Sequence, residues 1–215
     1  FADQDDIWLP CKLARAVSEL ERSRADAYSS NVTAFWNTGE RKLIKKSYAQ
    51  VEYDYLFESP GPGCTFLLTS TLAELIQSHL QKKTATGKTF WMHDWYCYSF
   101  ARYHGFSWHI DPEPMILYRQ HELNVVGANS GLQSFIHRLK IILNGDGFNK
   151  VLEQSRFIGQ EKSLPIQLLT SNKRFAMLQF LFITWKCRRQ PFHKVILSMA
   201  CLVFFIIGYK TNDVD

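Results

Sequence analysis

The chain has 215 residues, 46% of them hydrophobic and 14% aromatic, enough for one sizeable core or for a domain with a helical appendage; this composition excludes an intrinsically disordered chain. Its net charge of +5 is unevenly placed, because from Ser171 onward seven Lys/Arg face two Asp, while the residues before them balance. Five scattered cysteines (Cys11, Cys64, Cys97, Cys187 and Cys201), odd in number and without C-x-x-C spacing, argue for reduced thiols in the cytosol and against a disulfide frame or a zinc site.

The first ten residues, FADQDDIWLP, crowd Asp3, Asp5 and Asp6 between apolar neighbours. Like charges this close repel unless something positive holds them, and a hard divalent cation such as Mg²⁺ or Mn²⁺ takes carboxylate oxygens readily. The alternative is an acidic helix start in which Asp6 or a neighbour caps a helix beginning near Pro10. Phe1-Ala2 reads as the end of a buried strand, so further sequence is expected ahead of it.

Leu9, Leu13, Val17 and Leu20 recur at helical spacing and predict an amphipathic helix from Pro10 to about Arg24. Ala27–Trp36 is rich in β-formers, and Asn37-Thr38-Gly39 supplies a turn before a second strand at Lys42–Ser47, a hairpin pattern. The cluster Ser59-Pro60-Gly61-Pro62-Gly63 precedes a short β-like run at Cys64–Leu68; it reads as a tight turn, or as backbone that approaches a ligand closely. A helix follows over Ser70–Gln81, with Leu72, Leu75, Ile76 and Leu80 on one face.

Phe90–Tyr103 combines seven aromatic residues, Trp91 and Trp95 among them, with His93-Asp94 at a helix start. Asp94 is there either an N-cap or a carboxylate held at the helix end and aimed outward. Phe106–Ile110 and Met115–Tyr118 read as strands around the turn Asp111–Pro114, and Arg119-Gln120-His121 ends the second. A guanidinium and an imidazole so placed can bind diphosphate and metal. Beyond Leu132 only helices are predicted: Gln133–Leu143, Phe148–Gly159, Ser171–Arg188 and Pro191–Tyr209. The apolar run Val195–Ile207 falls short of the ~20 residues that span a bilayer, so these helices read as interfacial or as a buried helical pair.

Four blocks, FADQDDIWLPCKL, GPGCT, HDWYCYSFARYHG and YRQHELNVVGA, resemble in the same order the motifs of family 2 glycosyltransferases, in particular the rhamnosyltransferase-like branch whose acidic signature is close to SDQDDIWLPDKL. Cys11 departs from the acidic residue usual there. The resemblance implies an α/β fold: the C-terminal part of a GT-A type domain over residues 1–130, and a helical C-terminal region over 131–215 able to associate with a membrane. The opening β-α-β units that hold the nucleotide base would lie upstream of Phe1.

It further implies an inverting, metal-dependent transfer of a sugar, with rhamnose suggested by the branch, from a nucleoside-diphosphate donor to a glycan or lipid-linked acceptor in cell-surface polysaccharide synthesis. Asp94 would be the catalytic base; Asp5 and His121 would hold Mn²⁺ or Mg²⁺; Asp3, Gly63 and Arg119 would bind donor; Trp91 and Trp95 would bind acceptor. The expected location is cytoplasmic, peripheral on the inner face of the plasma membrane, with no nucleic-acid partner. The competing classes are a non-enzymatic membrane-surface interaction domain and a glycoside hydrolase using Asp94 with a loop carboxylate. An EF-hand is disfavoured, because its glycine and distal glutamate are missing after Asp3-x-Asp5.

Overall fold

The computed structural model describes residues 5–85, 92–120, 145–171 and 173–208. Asp3, Trp91, His121 and the helix expected at 133–143 lie outside them. The chain is mixed α/β and divides into two compact units: residues 1–48, 59–87 and 92–129 form the first, and 49–58, 88–91 and 130–215 the second.

In the first unit, strand β1 (Ile7–Trp8) leads into helix α1 (Lys12–Ser23) and then β2 (Ala27–Ser30), β3 (Val32–Phe35) and β4 (Arg41–Ile44). Strand β5 (Leu67–Leu68) and helices α2 (Ser70–Thr84) and α3 (His93–Tyr103) follow, and β6 (Trp108–Asp111) and β7 (Ile116–Arg119) complete it. Two mixed sheets result, ordered β1-β7-β3-β4 and β5-β2-β6, with β3/β7 and β2/β6 parallel and the other pairs antiparallel. The hairpin expected around Asn37–Gly39 is β3–β4, running from Val32↔Ile44 to Phe35↔Arg41.

The β-rich run Ala27–Phe35 does not stay in one sheet. It crosses from one to the other at Asn31, which is buried and fully engaged: its Oδ1 accepts from the Lys46 and Ser47 N–H groups (2.6 and 2.9 Å), and its Nδ2 donates to Pro112 O (2.8 Å). A buried amide at such a junction is stable only when its polar atoms are met.

α1 is turned differently from its apolar spacing. Leu13 and Val17 are 51% and 44% exposed, while Lys12 and Ala16 face inward. Ion pairing explains the rotation: Arg15 donates twice to the buried Asp111 carboxylate (2.7 and 2.9 Å), which also accepts from the Tyr28 hydroxyl (2.9 Å) and the Glu113 N–H (3.0 Å). Bidentate geometry of this kind outweighs a two-residue apolar stripe. Burial pushes the Asp111 carboxyl up, but the hydrogen bonds from Arg15, Glu113 and Tyr28 outweigh it and hold the group below its ordinary value.

The second unit is helical: α4 (Asp146–Ile158), α5 (Leu164–Thr170), α6 (Arg174–Ile183), a 3₁₀ turn at Thr184–Lys186, and α7 (Pro191–Ile207). α5 was not expected from the sequence; Pro165 falls in its first turn, where the missing N–H costs nothing. Phe148 is the hub of the core, with Phe180 and Phe204 at ring-centroid distances of 6.0 and 5.7 Å. The 49–58 segment packs with these helices, Phe57 lying 5.8 Å from Phe180.

Asp111→Asn keeps the shape and removes the charge opposite Arg15. Because Arg15 is about one-third exposed and screened, the expected cost is about 2 kcal/mol, roughly 4–8 °C in melting temperature. An aspartate held low stabilises above its unfolded value and loses that contribution as pH falls through the folded one, so the gap should narrow in acid. Equal melting of the two proteins at neutral pH would contradict the pairing.

Candidate active site

The acidic loop is fixed by strand pairing. β1 runs antiparallel to β7 with Ile7 opposite Leu117 and Trp8 opposite Ile116, and the Leu9 N–H continues the ladder to Met115 O (3.0 Å). That register brings Asp5 and Asp6 to the end of β7. There the Arg119 N–H donates to Asp6 Oδ1 (3.1 Å) and Arg119 Nε donates to the Asp5 backbone carbonyl (3.2 Å). The guanidinium lies 4.6 Å over the Phe35 ring, with Nη1 3.4 Å from Asn37 Oδ1.

One expectation changes as a result. Asp6 does not cap α1: the helix starts at Lys12 behind Cys11, whose φ is 64°, and no side chain caps it. Arg119, named for the donor diphosphate, uses Nε to brace the loop. The brace takes Asp5 by its backbone carbonyl, which leaves the loop's anchoring compatible with a carboxylate ligand at Asp5. Among the described residues no group of three or more His, Cys, Asp or Glu gathers as a metal site, and Asp3 and His121 lie outside those residues. Hard carboxylate oxygens in a braced loop suit Mg²⁺ or Mn²⁺.

The glycine cluster forms the second part. A 3₁₀ turn at Gly63–Thr65 is buried, and its Cys64 carbonyl accepts a hydrogen bond from Lys12 Nζ (3.0 Å). Lys12 is itself buried and stacks 3.5 Å over the Trp8 ring, so the residue after the acidic loop ties that loop's helix to the glycine turn. Burial lowers the Lys12 ammonium, opposed by the nearby Cys64 and Asp6.

A β-carbon at Gly63 would overlap the His93 imidazole, which is why this position has no side chain. Gly61 lies against the sheet with less crowding: at φ 152° its added carbon would lie 3.2 Å from Ser30 O and 3.7 Å from Lys46 Cγ. Gly63 and the start of α3 are therefore adjacent.

α3 is held from below by aromatics, as its sequence implies. Tyr98 meets Trp108 edge-on at 5.2 Å, Trp108 meets Phe66 at 4.9 Å, and His79 Nδ1 lies 2.7 Å from the Tyr96 hydroxyl. Trp95 is 7% exposed and belongs mostly to this buried face. Asp94, in the first turn and also 7% exposed, is placed by its own helix, since its Oδ1 accepts the Trp95 N–H (2.7 Å). It is not the N-cap, a position held by Met92 without a side-chain bond.

Burial pushes the Asp94 carboxyl up. The Trp95 N–H, the neighbouring His93 and the Lys46 ammonium pull it part of the way back. A desolvated carboxylate under mild cationic control is a stronger base than one in water, and that is what proton abstraction from a hydroxyl requires. Lys46 was missing from the sequence reading. Its position depends on the Asn31 clamp just ahead of β3, 15 residues earlier, which no local pattern announces.

Asp94→Asn isolates the cost of this burial. A carboxylate raised in the fold has no penalty while protonated and gains one as pH rises through its folded value, so the asparagine protein should melt higher than wild type at pH 8 and alike in acid. The amide oxygen can still accept the Trp95 N–H. A variant that melts lower at both pH values would contradict the burial argument.

No family model matches the chain. It is 37% identical over 207 residues to the dTDP-rhamnosyl transferase RfbG of Shigella flexneri, an alignment that takes in 95% of this chain and 71% of that protein. At that identity and coverage, the chain belongs to the rhamnosyltransferase-like glycosyltransferases.

Proposed function

We propose that the protein transfers rhamnose from a dTDP-linked donor to a hydroxyl of a growing cell-surface polysaccharide, with inversion at the anomeric carbon, and that Asp94 is the base. The observation that carries this is the Asp94 carboxylate, buried, raised by desolvation, and held at the first turn of α3 beside Gly63. The finer fold assignment, a GT-A type domain with a helical appendage, belongs to the same proposal.

In this reading Asp94 takes the proton from the acceptor hydroxyl as the oxygen attacks the anomeric carbon, and the bond to the donor's β-phosphate oxygen breaks on the opposite face. Lys46 and His93 set the basicity of Asp94. Gly63, placed with the donor by its motif, leaves room for the His93 imidazole and so lets the glycine turn pack against the start of α3. Asp5, with His121, would hold Mn²⁺ or Mg²⁺, which would neutralise charge growing on the leaving diphosphate, and Asp3 would face the donor.

Arg119 keeps the acidic loop in register, and through it the donor end of the site. Trp91 and the exposed edge of Trp95 flank Asp94 in sequence and would wall the acceptor. The charges acting most on Asp94 are cationic, which suits a lone base better than the carboxylate pair of a hydrolase.

Asp94→Asn in the intact protein should cut kcat by at least ~10²-fold, with donor affinity and metal affinity unchanged, and should abolish the acid limb of the pH–rate profile. Retained activity would remove Asp94 from the chemistry. Asp5→Asn should instead remove divalent-metal dependence together with activity, while the melting temperature holds. Unchanged metal-dependent transfer in that variant would confine Asp5 to the loop's structure.

A further inference from the structure

α6 and α7 pack as an antiparallel helical hairpin. At its closed end Thr184 Oγ1 lies 2.7 Å from Ser198 Oγ, and at its open end Phe175 and Phe205 meet at 6.2 Å. One side of each helix enters the core through Ala176, Met177 and Phe180, and through Ile196, Leu197, Ala200 and Phe204. The opposite side is what a water-facing helix should not be. On α7 the exposed stripe is Phe192, Val195, Met199, Leu202 and Ile206, every position apolar over about 20 Å of helix. On α6 Phe175 and Phe182 are 73% and 79% exposed, and Trp185 continues their line. Single exposed apolar residues need no explanation, but an apolar stripe along α7, joined on α6 by Phe175, Phe182 and Trp185 with only the uncharged Gln179 exposed between the first two, marks a docking surface.

Charge selects the occupant. Residues 173–208 contain no Asp or Glu. Lys173 and Arg174 stand at the open end of the hairpin beside Phe175, and Lys194 at the closed end lies 5.3 Å over the Trp185 ring. A second copy docked on this stripe would bring cations against cations. A bilayer with anionic headgroups would neutralise them, accept the apolar stripe into its acyl boundary, and place Trp185 at the depth that indoles favour. Among the described residues no helix is long and apolar enough to cross a membrane, so the element lies in the interface.

We infer that the α6–α7 stripe seats the protein on an anionic lipid surface, with the helix axes in the membrane plane. This goes beyond the transferase reading and is independent of it, because its test contains no sugar donor. Arg189, at the closed end, fixes the hairpin to the 49–58 segment: its N–H donates to Glu58 Oε1 (2.6 Å), and its guanidinium lies 3.4 Å from the fully buried Asp54 carboxylate. A hairpin held this way presents its stripe as a rigid face.

The test is co-sedimentation of the protein with vesicles of phosphatidylglycerol and phosphatidylethanolamine, and with vesicles of phosphatidylcholine alone. Wild type should bind the anionic vesicles, less so in high salt, and the neutral ones weakly. Phe182→Ser with Met199→Ser and Ile206→Ser should lower anionic binding at least about tenfold, with helicity unchanged by circular dichroism. Should that variant misfold, Lys173→Ser with Arg174→Ser and Lys194→Ser, which leaves the packing untouched, should lower it by a similar factor. Equal binding by either folded variant would overturn the inference. So would a dimer, seen in analytical ultracentrifugation, that the serine variant dissociates while neither form binds vesicles.

Discussion

Strand β7 is the constraint on which the first unit depends. It is the partner of both β1 and β3, antiparallel to one and parallel to the other, and Ile116 at its start is fully buried with Val32 and Cys64. Its far end is Arg119, whose backbone and side chain both hold the acidic loop. A two-residue strand such as β1 has too few ladder bonds to fix a register by itself. The Arg119 latch and the Leu9–Met115 bond supply the remainder. The position of Asp5 and Asp6 is thus set by a strand more than a hundred residues downstream.

The second organising contact is Asn31. By crossing between sheets there, the chain turns one β-rich run into two strands, and the four hydrogen bonds of this amide fix the Lys46–Ser47 backbone and the Pro112 turn together. Lys46 is thereby held near Gly61, and its charge reaches Asp94. The helical unit has its own version of the same device, a buried Arg189 answered by Asp54 and Glu58. Removing one member of such a set costs far more than the set contributes as a whole, because the remaining charges stay buried.

Much of this was readable in advance wherever the determinant is local. The turn Asn37–Gly39, the aromatic period of α3 and the breaker cluster before Cys64 each specify their element from within a few residues. Gly63 and Asp94 were named from their motifs, and the Gly63 turn proves to lie against His93. What escaped the sequence is non-local. The Leu13–Val17 stripe announces an apolar face but not which way it turns; Asp111, 96 residues from Arg15, decides that. Asp6 carries the composition of a cap and is used instead by a backbone N–H 113 residues away. Lys12 looks like a solvated helix residue and is buried on a carbonyl 52 residues on. The 49–58 segment alternates apolar and polar residues from Ala49 to Tyr55 as a strand would, yet it forms a 3₁₀ turn, and its place with the helices follows from Asp54, Phe57 and Glu58 meeting partners more than 120 residues later.

The central claim is that the site performs one in-line displacement driven by a single base. The stereochemistry of the product tests it most directly: the intact protein is supplied with dTDP-rhamnose and an acceptor glycan, and the anomeric configuration of the new linkage is read by NMR and compared with that of the donor. The account requires inversion. A product with retained configuration, or release of free rhamnose without transfer, would contradict it.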